Sequence, residues 1–124
     1  MVKYSKSALI KAHKHCTNNR EELENSKKCG CFYCFEVYDP KEILEDKDAM
    51  WADESTAFCA KCGIDSVIGD ASGFPIHDKL FIELMGFLWF NGYARGHNQI
   101  SDYYALEKKL GPHIVNYIYE FFSN

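Results

Sequence analysis

Proline is scarce in this 124-residue chain, at three residues, and no segment is low in complexity or repeats at a fixed period. Rods of the polyproline or collagen type and solenoids are thereby excluded. Long apolar runs are missing too. The most hydrophobic stretch, Phe74 to Phe90, is broken by His77, Asp78, Lys79 and Glu83, so nothing approaches the roughly 20 apolar residues of a membrane helix. Positive charge is in deficit, with 14 Lys and Arg against 18 Asp and Glu, which argues against nonspecific coating of nucleic acid or an anionic membrane. Met1 is followed by Val2, Lys3, Tyr4 and Ser5 without an apolar h-region or a small-residue cleavage site. A secretory leader is therefore not expected, and a cytoplasmic location is.

What remains is 47% hydrophobic and 15% aromatic, enough apolar mass for one small core, and the length suits one domain, 1–124. Charge is unevenly placed. Residues 1–28 hold seven basic and three acidic side chains, a balance of +4, while residues 29–124 hold 7 and 15, a balance of −8. The first segment is expected to be a basic helical arm docked on an acidic body.

The period of the apolar residues organises the rest. Ala8, Leu9, Ala12 and Cys16 fall on one face of a helix running from Ser5 to Cys16. Asn18 with Glu21 has the form of a capping box for a short helix to about Ser26. Cys29 to Tyr38 suits a turn and strand, and Asp39-Pro40 opens a helix that ends near Asp46. Asp46 to Ser55 is expected to be a loop whose Trp51 folds back, followed by a strand from Thr56 to Phe58. Residues 29–73 would form the knuckle module and 74–124 a set of aromatic-rich helices. In the latter, Leu80, Phe81, Leu84, Met85 and Leu88 stripe a helix from His77 to Asn91 that Gly92 stops. Phe87 and Phe90 fall off that stripe, so the helix should be covered on more than one side. A helix beginning at Ser101, and a last one carrying Ile114, Tyr117, Ile118, Phe121 and Phe122, complete the expectation.

Cysteine gives the sharpest signal. Cys31-x-x-Cys34 and Cys59-x-x-Cys62 are two pairs separated by 24 residues. A two-residue gap lets a tight knuckle aim both thiolates inward, and two knuckles complete a sulfur tetrahedron around zinc. In a reducing compartment this outweighs disulfides, and the strand-to-helix context of a redox pair is lacking. Iron can use the same four ligands. Cys29 is the alternative to Cys31 but lacks the knuckle spacing, and Cys16 suits the core. His13 and His15, two apart on a helix, point in different directions and suit solvated or hydrogen-bonded roles rather than a shared metal.

The stretch Cys29-Gly-Cys-Phe-Tyr-Cys34, with Asn19-Arg20 before it and Asp39-Pro-Lys-Glu-Ile43 and Cys59-Ala-Lys-Cys-Gly-Ile-Asp-Ser-Val-Ile-Gly69 after it, resembles a family of small bacterial proteins labelled only as cytoplasmic or hypothetical. The resemblance covers roughly residues 8 to 92. It implies a cytosolic zinc protein and carries no activity.

The fold expected is α+β, a zinc-ribbon or treble-clef knuckle pair packed among helices. Four thiolates leave a metal no open position, so the zinc would be structural and the chain a non-enzymatic interaction module. Its partner would be a protein, with a homodimer as one form. The alternative is a zinc-dependent nucleic-acid-binding regulator using the basic arm, with Phe32, Tyr33 and Phe35 stacking on bases. An HNH-like nuclease is a lesser one, because residues 35–58 contain no histidine. Asp65, expected to cap the turn after the second knuckle beside Ser66, and His77 are the other polar residues near the cysteines.

Overall fold

A computed structural model describes residues 4–90 of the chain, and its first helix starts where the sequence supplies a cap. The Ser5 hydroxyl accepts from the Ala8 N–H at 3.1 Å and opens α1 (Lys6–His13). The helix then tightens into a 3₁₀ turn, Lys14–Cys16, earlier than the apolar period suggests. Leu9, Ala12 and Cys16 still share the buried face.

The capping box at Asn18 does not form. Asn18 adopts a left-handed φ of 51°, its N–H donates to Thr56 Oγ1 at 2.8 Å, and its Oδ1 accepts from Ser55 Oγ at 2.6 Å. Contacts distant in sequence take the amide, and α2 (Arg20–Glu24) starts one residue later with Asn19 at the N-cap position.

Strand β1 (Cys29–Cys31) runs antiparallel to β2 (Val37–Tyr38), pairing Cys29 with Tyr38 and Gly30 with Val37. After β2, the Asp39 carboxylate accepts from the Lys41 N–H at 2.9 Å and starts α3 (Lys41–Leu44), one short turn that ends before Asp46. The charged segment that follows is not simply a loop. Trp51–Ala52 forms β3 and pairs with β4 (Thr56–Ala57) across a turn whose central residues, Asp53 and Glu54, both have positive φ. Such a turn ordinarily carries Asn-Gly, so the sequence gives no hairpin signal. Arg20 offsets the strain: its Nη1 donates to the Glu54 carbonyl at 3.1 Å, its N–H donates to the Ser55 carbonyl at 3.0 Å, and its guanidinium lies 4.4 Å over the Trp51 ring. Trp51 folds back as expected, on this cation.

Strand β5 (Val67–Gly69) returns beside β1, giving a three-stranded antiparallel sheet in the order β2-β1-β5. A 3₁₀ turn, Asp70–Ser72, and a left-handed Gly73 lead towards the last described helix, α4 (Lys79–Phe90). Every residue from Phe81 to Phe87 is buried. The apolar stripe understates this burial: Phe87 lies off it and is buried, while Leu80 and Leu88 lie on it and are half-buried. Tyr4, just before α1, sets its ring edge-on to Phe81 and donates its hydroxyl to Asp78 at 2.5 Å. The expected stop at Gly92, the helix from Ser101 and the terminal stripe lie outside the described residues.

On another side α4 meets the chain between Cys31 and Glu36. A Cβ at Gly86 would stand 2.6 Å from the Phe32 carbonyl oxygen and 2.5 Å from Phe35 Cε1. Only glycine lets the helix seat this closely, although it lowers helix propensity by about 1 kcal/mol. Gly86→Ala should therefore destabilise the protein, because overpacking strain of about 1–3 kcal/mol against a backbone atom exceeds what alanine gains in the helix. Denaturant unfolding measures it. A variant as stable as the parent would mean that α4 is not held against this segment.

Candidate metal centre

The two C-x-x-C segments fold alike, although no repeat is visible in the sequence around them. Cys31 ends β1, and the chain turns back to β2; Cys59 follows β4, and the chain turns back to β5. In the first turn the Phe35 N–H donates to the Cys31 carbonyl at 2.8 Å, the Cys31 N–H to the Glu36 carbonyl at 3.0 Å, and the Tyr33 N–H to Cys31 Sγ at 3.3 Å. The second repeats each bond: Gly63 N–H to the Cys59 carbonyl at 2.9 Å, Cys59 N–H to the Ile64 carbonyl at 2.9 Å, and Lys61 N–H to Cys59 Sγ at 3.3 Å. Each turn closes on a left-handed residue, Gly63 at φ 82° and Phe35 at φ 66°. Glycine is at ease there, whereas a bulky aromatic is strained.

Facing each other, the knuckles gather Cys31, Cys34, Cys59 and Cys62 so that the four sulfurs lie within 4.8 Å of one another. Cys31 and Cys62 are 3.6 Å apart and Cys34 and Cys59 3.8 Å. A tetrahedron with metal–sulfur bonds of about 2.3 Å has edges of about 3.8 Å, so these separations fit a shared ion. They are far beyond the roughly 2.05 Å of a disulfide, and all six cysteines are free thiols. Cys31 and Cys59 are buried, and Cys34 and Cys62 half-buried.

Hydrogen-bond donors converge on one sulfur. The Cys59 thiol is held well below the ordinary thiol range, first by the bond it shares with Cys31, then by the Tyr38 hydroxyl and the N–H groups of Lys61 and Cys62. Cys31 moves up, because it keeps the proton of that bond and is buried. Burial pushes Cys62 up to about 11. Tyr38 donates to Cys59 Sγ at 3.3 Å and accepts from the Ala60 N–H at 2.9 Å, so a residue of β2 bridges to the second knuckle. Ser66 is buried with its Oγ 3.1 Å from Cys31 Sγ, and its carbonyl accepts from the Phe32 N–H at 3.0 Å. Sequence reasoning gives Ser66 a minor place beside Asp65 and gives Tyr38 none, since only the register brings either one to sulfur. Asp65 itself is exposed.

The other candidates take different places. Cys29 is buried outside the cluster of four, its thiol pushed up to about 12 by burial. Cys16 is buried and donates to the His13 carbonyl at 3.0 Å. His13 and His15 do diverge. His15 Nδ1 lies 3.0 Å from both Glu22 carboxylate oxygens. His13 is stacked on Trp89, with ring centroids 4.2 Å apart, and burial lowers its pKa. Its partner is thus a ring, where solvent or a hydrogen bond was expected. His77 is exposed and lines a cleft beside β2. In the basic arm, α1 packs on α4 through its buried face.

One further side chain holds the second knuckle in place. Asn19 is 2% exposed; its Nδ2 donates to the Val67 carbonyl at 2.8 Å and its Oδ1 accepts from the Ala57 N–H at 3.0 Å. It thereby ties β4 to β5, the strands on either side of Cys59 and Cys62, which belong to different sheets. Comparison of the chain with protein-family models, curated proteins and solved structures gives no match.

Truncating Asn19 would leave a buried carbonyl and a buried N–H without partners, at about 1–3 kcal/mol each. Asn19→Ala should lower unfolding stability by about 2–6 kcal/mol, read from denaturant midpoints. A loss below about 0.5 kcal/mol, the usual size of a neutral surface change, would show that the knuckle is held by other means.

Proposed function

We propose that the chain binds one zinc ion through Cys31, Cys34, Cys59 and Cys62 as a structural centre, and that it acts as a non-enzymatic interaction module. The observation that carries this reading is the convergence of two identically bonded knuckles on four sulfurs at tetrahedral spacing. A four-thiolate centre has no vacant position at which to activate water or polarise a substrate. Its contribution is to folding, on the order of 10 kcal/mol or more for such sites. The described strands are two or three residues long, too short to hold a sheet by their own ladder.

The ribbon form of the knuckle pair suits the connections better than the treble clef, because both knuckles return into strands and neither opens a helix. Zinc is preferred over iron because a purely structural role requires no redox chemistry. A protein partner suits the charge. Residues 29–90 carry four basic and twelve acidic side chains, and a zinc tetrathiolate adds roughly two more negative charges. Such a surface repels phosphate. A cytoplasmic setting, and kinship with the small bacterial proteins that share the knuckle pattern, belong to the same reading.

Metal analysis of the purified protein should find one zinc per chain, much reduced in Cys34→Ser and retained in Cys29→Ser. Chelation should remove helical signal and thermal stability together. Acid should do the same, because the ion is held only while the thiols are deprotonated and protons compete as pH falls. Equal metal in the parent and in Cys34→Ser would end the four-cysteine assignment; an unchanged melting curve after chelation would end its structural role.

A further inference from the structure

Among the described residues the sheet order leaves β2 at an edge. The Cys31 N–H bonds the Glu36 carbonyl at 3.0 Å, and Cys29 lies opposite Tyr38. By the alternation of an antiparallel ladder, Val37, between those two pairs, turns its own N–H and C=O away from β1. Its side chain is 38% exposed, one of three large apolar side chains exposed among the described residues. Beside this edge lies a cleft of 440 Å³ lined by Phe35, Val37, Ile76 and Ile82 and by the acidic residues Glu36 and Glu83. Lys79 also contributes to the lining.

Two further observations single this cleft out. Phe35 occupies the left-handed position that Gly63 fills in the second knuckle, a strained backbone for a residue with a Cβ. Phe35 lines the cleft and its ring stands against Gly86, and strain of this kind collects at functional sites. The body around the cleft, residues 29–90, has a balance of −8.

We propose that β2 takes up an extended basic segment of a protein partner as an added strand. The segment's backbone bonds the outward N–H and C=O of Val37, one apolar side chain enters the cleft, and flanking Lys or Arg residues face Glu36 and the acidic body. This rests on the interaction-module reading but not on the identity of the metal.

The test uses the full-length, metal-loaded protein and two labelled, end-blocked hexapeptides, one alternating Lys and Val and one alternating Glu and Val, titrated by fluorescence anisotropy. The Lys peptide should bind, more weakly as salt rises, and at least about tenfold more tightly than the Glu peptide. Val37→Pro removes an N–H that the ladder does not use, so circular dichroism and metal content should persist while affinity falls at least about tenfold. Hydrogen exchange on the unmutated protein gives the same answer should that variant fold poorly: the Val37 amide should gain at least about tenfold protection with peptide bound. Failure of the Lys peptide to bind, equal binding of the Glu peptide, or binding without protection at Val37 each overturns the proposal. Metal content is measured separately, so loss of the zinc assignment would be seen as such and would leave the strand-addition result standing.

Discussion

The constraint that organises the sheet half of the described structure is that four sulfurs are brought within one metal-sized volume by two turns that start 28 residues apart, at Cys31 and Cys59. Neither knuckle can meet that demand alone. Each supplies two sulfurs and a hydrogen-bonded frame, and each needs the other to complete a tetrahedron. The strands that carry them make only two or three residue pairs per ladder, and sheets so short are marginal in water. The sulfur cluster therefore does more than decorate a stable sheet. With a metal bound, it would supply the long-range closure that the ladders are too short to provide.

The packing around it follows from the same demand. Asn19 ties the strands flanking the second knuckle, Tyr38 carries a hydroxyl from β2 to Cys59, and Gly86 lets α4 lie against the first knuckle. Each contact joins residues distant in sequence, which is how a small core compensates for short elements. The two buried clusters divide along this line. One, with Leu9, Phe32, Ile76, Phe81 and Leu84, joins α1 and α4; the other, with Leu23, Tyr38, Ile43, Ala57 and Val67, lies among the cysteines. Phe32, next to Cys31, belongs to the helical cluster, so movement of the first knuckle would be felt in the packing of α4.

What the sequence makes legible is local chemistry: the Ser5 cap, the Asp39-Pro40 start, the face of α1, the apolar helix after His77 and the two cysteine pairs. What it hides is long-range competition for polar groups. Asn18 looks like a capping residue and is drawn away by Ser55 and Thr56, and Asn19, which takes the N-cap position, spends its amide on Ala57 and Val67. The β3–β4 hairpin is hidden for a related reason, because its turn uses Asp53 and Glu54 where Asn-Gly would be the signal, and the compensating cation, Arg20, lies more than thirty residues away. Tyr38 and Ser66 approach sulfur only through strand register, which no spacing rule encodes.

The difference between the two knuckles is the most informative asymmetry. Identical hydrogen bonds require the same left-handed residue in both turns, and the second meets the requirement with Gly63, which has open space around it. Had both turns served only to present sulfur, glycine at position 35 would relieve the first at no loss to the bonds. Phe35 remains there, and α4 carries a glycine opposite its ring, so two residues depart from local preference together. Such paired departures are expected where a side chain is needed for a reason other than its own backbone. Phe35 also lines the cleft beside β2. A metal bound by the knuckles would hold Cys34 and so fix the backbone of its neighbour, making the shape of the cleft dependent on an intact centre. On the proposed reading, metal and surface would be joined through one strained residue, and the first knuckle, rather than the second, would be the side on which a bound ion sets the shape of the cleft.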